Sequence, residues 1–385
     1  MPINYLQLQP QIQQYGRDAV RANQGIQEKL QDALRLLHAC AQGQPSNLDR
    51  IRQSLMDKGR SVRIAIPTDE NVDCTLDVTD ASTDYILLAA DGSQIIPDAH
   101  EALAVALVNI STIEFTPNSG RAPLVRVHSR FLTDQDGQIM LKDISEERIN
   151  LERDVEEMRA LADGLPIAQQ PVIALRDGAL ELFHEPRQSS AYDQAFGVYL
   201  QEMQHLYEKD VVLAGYIDKP RADMVVGMLQ FAALTGEQVD LSGLGDLHLF
   251  SEILQPGQRT ALFELVSPSS MYYRDHLKLH FFYVNVSSTN IPWIARVEAP
   301  AWVTGNKRAV ELLQRAVIDQ CRLMGSRPYP YLLHRAHEEA LVGNREKEKL
   351  IERLAHELGS LGLEMARKSH KLSAKGLQTR TRMRQ

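Results

Sequence analysis

YILLAADGSQIIPD, residues 85–98, decides the fold. An apolar run from Tyr85 to Ala90 leads into Asp91-Gly92-Ser93, the pattern of a buried strand that reaches a turn at its C-terminal end. PVIALRDGALELF, residues 171–183, repeats the arrangement with Asp177 and Gly178. Two buried strands are thus expected each to deliver an aspartate to a glycine turn. Between them, LAVALVNISTIEF (103–115) and LVRVHSRFL (124–132) are rich in β-branched residues and read as neighbouring strands. Residues 143–163 then switch to helical period and carry Glu146, Glu147, Glu152, Glu156 and Glu157.

Farther out the alternation continues, which makes the chain α/β. VRIAIP (62–67) and CTLDV (74–78) read as the first strands, preceded by a long amphipathic helix over about 3–42 and a polar helix near 46–58. A helix at 189–208 leads into VVLAGYIDKPRADMVVGMLQ (211–230), a strand, a polar turn and a helix. TALFELV (260–266), KLHFFYVNV (278–286) and IPWIARVEAP (291–300) supply three more strands, and the remainder is helical through a long segment near 344–369. These readings divide the chain into an N-terminal helical arm (1–60), one main domain (61–345), and a C-terminal helix with a basic tail (346–385).

The composition, 44% hydrophobic and 24% charged over 385 residues, is that of an ordinary globular protein. No apolar run reaches the roughly 18 residues needed to cross a bilayer, and MPINYLQLQPQIQQ has no secretory pattern. A cytoplasmic location with no membrane contact is the expectation. Cys40, Cys74 and Cys321 are odd in number and have no CxxC pair, which argues against disulfides and zinc and reads as buried thiols. The formal net charge is −8, yet the stretch from Arg367 to Gln385 carries seven Lys and Arg and no acid, so the rest of the chain stands at −15. Such a tail is either a solvated terminus or an arm for DNA phosphates or an acidic partner.

Carboxylates at strand ends suit magnesium or manganese, because hard cations take oxygen ligands. Asp91 and Asp177 meet that demand, although Asp-Gly is also a common turn former. A third carboxylate would come from the acidic helix, where Glu152 and Glu156 share a face at i,i+4 spacing. Two such cations would activate a water and stabilise the leaving oxygen of a phosphodiester displacement. RPYPYLLHRAHEEA (327–340) adds Tyr329 and, eight residues on, His337, which is either a packed residue or a proton donor, metal ligand or phosphate contact. Lys219, Arg221 and Arg296 are phosphate contacts or structural ion pairs. GxxxxGK[ST], GxGxxG, HExxH and GxSxG motifs are absent, and Ser93 is a poor acyl nucleophile.

Taken in order, LLAADGSQI (87–95), VIALRDGALELF (172–183), AGYIDKPRADMVV (214–226), LFSEILQPGQRTALFE (249–264), HFFYVNV (280–286), IARVEAPAW (294–302) and RPYPYLLHRAHEEAL (327–341) resemble the NurA family of DNA-repair nucleases. They span about residues 85 to 345, leaving the N-terminal helix and the tail outside. The resemblance implies an RNase H-like α/β fold, related to the nuclease core of Argonaute PIWI domains, with a mixed sheet flanked by helices. It implies a homodimer, and manganese- or magnesium-dependent 5′-to-3′ exonuclease and single-strand endonuclease activity on DNA. It also implies work with HerA, a hexameric DNA-translocating ATPase, in resecting double-strand breaks. The family's two aspartates fall on Asp91 and Asp177, and its C-terminal Tyr and His on Tyr329 and His337. Its helical glutamate falls on Glu152 by preference, with Glu156 in reserve. Two rivals stay open: a catalytically inactive DNA-binding or ATPase-docking subunit on the same fold, and a different metal-dependent phosphoester hydrolase such as a phosphatase.

Overall fold

A computed structural model of the chain describes residues 3–42, 63–79, 84–97, 103, 105–133, 144–182, 190–233 and 239–362. The helix expected at 46–58 and the basic tail lie outside these residues. In chain order the first elements are α1 (Tyr5–Gln42), β1 (Ile64–Pro67), β2 (Thr75–Leu76), β3 (Ile86–Ile95), β4 (Leu107–Phe115) and β5 (Leu124–Phe131). Next come α2 (Glu146–Asp163), β6 (Val172–Asp177), α3 (Ser190–Glu208), β7 (Val212–Asp218), α4 (Met224–Ala233) and α5 (Asp246–Ile253). The last are β8 (Arg259–Thr260), β9 (Phe263–Val266), β10 (Leu279–Asn285), β11 (Ile294–Pro300), α6 (Ala301–Thr304), α7 (Lys307–Arg322), α8 (Tyr331–Ala340) and α9 (Asn344–Ser360). They fall into two compact units, residues 1–81 with 215–329, and residues 82–214 with 330–385.

The second unit is a mixed sheet. Its strands run β6-β3-β4-β5, with β3 antiparallel to β4, β4 antiparallel to β5, and β3 parallel to β6. A parallel neighbour needs a crossover, and α2 supplies it. Ser145 caps that helix by accepting the Arg148 amide, and Glu146 and Glu147 sit in its first turn, where acids favour the helix dipole. Ile149, Leu151, Val155, Met158 and Leu161 form its buried side, which covers one face of β3 and β4. Helix α8 covers the opposite face of the same two strands. Successive side chains alternate between the faces, so each residue of β3 looks at either α2 or α8.

The expected turn after Asp91 is absent. Strand β3 runs straight through Asp91-Gly92-Ser93, which pair in register with Ser111, Ile110 and Asn109 of β4. Pairing with β4 continues past the point where β6 leaves β3, and that ladder holds Asp-Gly extended. Gly92 is glycine for a different reason. A Cβ there would lie 2.7 Å from Ile110 Cδ1, 2.8 Å from Arg153 Cγ and 2.8 Å from Glu157 Oε1. Gly178 is the true turn residue, at φ +90°.

The first unit is antiparallel. Its strands run β1-β9-β10-β11-β7, and β8 pairs with both β10 and β2. Helix α1 buries Leu30, Ala33 and Leu37 near its C-terminal end and packs on α4 and α5, while Tyr5, Leu6, Ile12 and Tyr15 are exposed. Of the three cysteines, expected to be buried, Cys321 is, whereas Cys40 and Cys74 are half-buried; all three are free thiols. Among the described residues no helix is long and apolar enough to cross a membrane.

Candidate active site

Register brings the two aspartates together. Ala90 pairs with Arg176 across the parallel β3–β6 ladder, so the next residues, Asp91 and Asp177, stand level on adjacent strands. Level residues of parallel strands face the same side, about 4.8 Å apart in strand spacing. That side is the α8 face, because His337 Nδ1 lies 2.7 Å from Asp91 Oδ2. The other Asp91 oxygen accepts the Gly92 amide at 2.8 Å. The Asp91 side chain is nearly buried at 9% exposure, whereas His337 is 52% exposed and keeps its ring open to solvent. Opposite Asp91 on β4, Ser111 is wholly buried, and among the described residues its hydroxyl has no partner.

The acids of α2 differ in what they touch. Glu152 is bound by Arg148 at 2.9 Å and by Arg130 of β5 at 3.1 Å, on the α2 side and toward the strand two places from β3 in the sheet. Glu156 pairs with the same Arg130 at 3.0 Å and with Arg159. Each is held by two guanidinium groups, as is Glu157, whose partners are Arg176 and Arg153. Glu157 instead fills the space left bare by Gly92. Its other oxygen accepts from Arg176 Nε at 2.8 Å, and Arg176 also binds Asp154 and the Ala179 carbonyl.

One buried guanidinium thus serves two buried carboxylates. Burial pushes the Glu157 carboxyl up to about 8. Arg176 and Arg153 oppose that rise, and the charges of Asp154 and Asp91 add to it. Burial by itself would lower Arg176, but Asp154 and Glu157 hold it above its ordinary value. Excess negative charge around Asp91, Asp154 and Glu157 is what a divalent cation would neutralise. On the α8 face the donor set suits a hard cation, with the carboxylates of Asp91 and Asp177 and the His337 imidazole on Asp91. Among the described residues no three His, Cys, Asp or Glu are already gathered as ligands, since Glu157 approaches from the face opposite the aspartates.

The remaining expected residues belong to the first unit. Tyr329 packs edge-on against Tyr216, ring centroids 5.4 Å apart. Lys219 follows β7 in the left-handed region at φ 43° and lies over the Trp293 ring, 3.6 Å from its centroid; Trp293 in turn donates to Asp218 at 2.7 Å. Arg221 is exposed. Arg296 is not available to a phosphate: it is 4% exposed and bound to Glu298 at 2.9 Å. A guanidinium in the middle of β11 pairs with a buried acid because an unpaired charge there would cost several kcal/mol.

The model for the NurA domain matches residues 85–342. The chain belongs to the NurA domain family. The matched span holds Asp91, Asp177 and His337, and the chain is a nuclease of that family. The unit that carries Asp91 and Asp177 has the mixed sheet flanked by helices expected from the sequence. No curated protein sequence matches it. Among solved structures it is similar to the catalytic domain of human Endonuclease V, at 15% identity and TM-score 0.33, over 84% of this chain and 100% of that one. It is also similar to Ciona intestinalis Endonuclease V in complex with a 24mer DNA, at 12% identity and TM-score 0.32, over 69% and 87% of the two chains. A third is LC9-RNase H1, at 11% identity and TM-score 0.22, over 36% and 64%.

Proposed function

We propose that this NurA-family protein hydrolyses DNA phosphodiester bonds at Asp91 and Asp177, using manganese or magnesium in a two-cation site. The carrying observation is the β3–β6 register, which sets the two aspartates level on one face with His337 on Asp91. Asp91, Asp177 and Glu157 would hold the cations, Glu157 taking the part first expected of Glu152. When bound, the cations supply a water of lowered pKa and stabilise the departing oxygen.

The chain's own groups do the rest. Asp91 accepts from His337 Nδ1, which fixes the ring and leaves Nε2 to hold or move a proton near the scissile phosphate. Arg176 keeps Glu157 seated at Gly92. Lys219 and Arg221 are phosphate contacts, and Tyr329 assists at the substrate. The finer reading follows the family: 5′-to-3′ exonuclease and single-strand endonuclease action in double-strand break resection, as a cytoplasmic homodimer working with a HerA-type hexameric ATPase.

Digestion of 5′- and 3′-labelled single- and double-stranded DNA with and without manganese tests this directly. Cleavage should require the metal, and Asp91→Ala and Asp177→Ala should each abolish it. Unchanged cleavage in either variant overturns the site. Metal-independent binding without cutting, together with stimulation of an ATPase, would show an inactive docking subunit instead.

A further inference from the structure

A row of polar side chains crosses three strands under α8 and belongs to none of the groups above. Ser93, Asn109 and Ser129 stand opposite one another on β3, β4 and β5. Ser129 Oγ donates to Asn109 Oδ1 at 2.6 Å, Asn109 Nδ2 donates to the Ala340 carbonyl at 2.7 Å, and Ser93 Oγ donates to that same carbonyl at 2.5 Å. Ala340 is the last residue of α8 and is wholly buried. Its carbonyl is one of those a helix end leaves without an intrahelical partner. Because Ser129 occupies Oδ1, the Asn109 amide is held in the one orientation that points its donor at Ala340.

A single capping donor would satisfy that carbonyl; two donors and a third residue that orients one of them do more. Asn109 is buried, Ser93 half-buried and Ser129 exposed at the outer end of the row; where such polar groups are buried they add little net stability over apolar packing, and their best attested use is to fix register. Register is at stake here. His337 lies three residues before Ala340, and a slip of α8 by one residue, about 1.5 Å, would break its 2.7 Å contact with Asp91. Asn109 and Ser93 project from the same face as Asp91, so clamp and site share one rigid sheet.

We propose that Asn109, Ser93 and Ser129 are positioning residues that fix α8 on the sheet so that His337 meets Asp91, an inference that rests on the nuclease reading of that pair. Asn109→Asp keeps the shape and removes the donor. With manganese and labelled DNA it should lower kcat about 10–100-fold, as loss of an orienting partner does, with KM little changed. The pH–rate profile should shift to that of His337→Gln. Added to His337→Gln, Asn109→Asp should lower kcat no further, the signature of two residues acting as one. Ser129→Ala, which keeps both donors to Ala340, should give a smaller loss.

Full additivity in the double variant, or a folded fraction with wild-type kcat and pH profile, overturns the proposal and leaves the row a mere helix cap. Should Asn109→Asp fail to fold, Ser93→Ala removes a single hydroxyl and takes its place in the same double-variant comparison. If the wild-type chain cuts no DNA, the nuclease reading fails separately. The clamp is then decided by the His337 ring signals in NMR: a changed environment in Asn109→Asp supports it, and unchanged signals overturn it.

Discussion

At Gly92 a side chain has nowhere to go. A methyl group would meet Ile110, Arg153 and Glu157 inside 3 Å, and overpacking of that kind costs about 1–3 kcal/mol. Gly178 makes the opposite case, since its φ of +90° strains any other residue while the space around it is open, at about 1–2 kcal/mol. Gly92→Ala should therefore lower both the urea midpoint and cleavage, through displacement of Glu157, whereas Gly178→Ala should lower the midpoint with less effect per folded molecule on cleavage. An unaltered cleavage rate in folded Gly92→Ala would sever Glu157 from the site. The sequence makes both aspartates legible, because an acid closing an apolar run is conspicuous. It hides which acid of α2 lies against Gly92, because the helix carries seven acids that look alike in one dimension. The signal was Arg176: a charge inside the strand run VIALRDG needs a buried partner on the helix that covers it, and only Asp154 and Glu157 reach it.

Among the elements, α4 and α5 are tied by Asp246, whose carboxylate accepts the Val225 and Val226 amides at the start of α4 and the Tyr283 hydroxyl at 2.6 Å. Burial pushes this carboxyl up to about 6, against the pull of those donors. Its folded value is raised, so the stability it contributes is complete below the ordinary value of 3.8 and is lost as pH rises through 6. The roughly two-unit shift is worth about 3 kcal/mol. Asp246→Asn should be clearly less stable than wild type at pH 4, and its deficit should shrink by about that amount by pH 7.5, read from denaturation midpoints. A deficit independent of pH would show the carboxyl to be unshifted. Element identity was readable from period: β-branched runs gave β4 and β5, and the acidic 3.6-residue pattern gave α2. The end of β3 is misread from local polarity, because ladder pairing holds Asp-Gly extended. Of the two readings open for Arg296, phosphate contact or structural ion pair, Glu298 makes it the ion pair.

For the whole molecule, seven motifs in family order were enough to read the fold class and the nuclease, but not the division into two units, because each unit is assembled from two distant stretches of chain. That arrangement bears on how a cation would act. Asp91, Asp177, Glu157 and His337 all lie in the second unit, drawn from residues 82–214 and 330–385. A divalent ion held by Asp91 and Asp177 would draw on β3 and β6, and through the Asp91 contact bear on α8. Binding to the folded state alone raises stability by RT ln(1 + [L]/Kd), about 2.7 kcal/mol at one hundred times Kd. Manganese should therefore raise the melting temperature of the wild-type chain in a concentration-dependent way without any DNA present. Asp91→Asn and Asp177→Asn should melt cooperatively but lose most of that increment, and Glu152→Gln, whose carboxylate is held by Arg148 and Arg130, should keep it. Loss of the increment in Glu152→Gln with retention in Glu157→Gln would return the third ligand to Glu152 and require α2 to rotate on the sheet when metal binds.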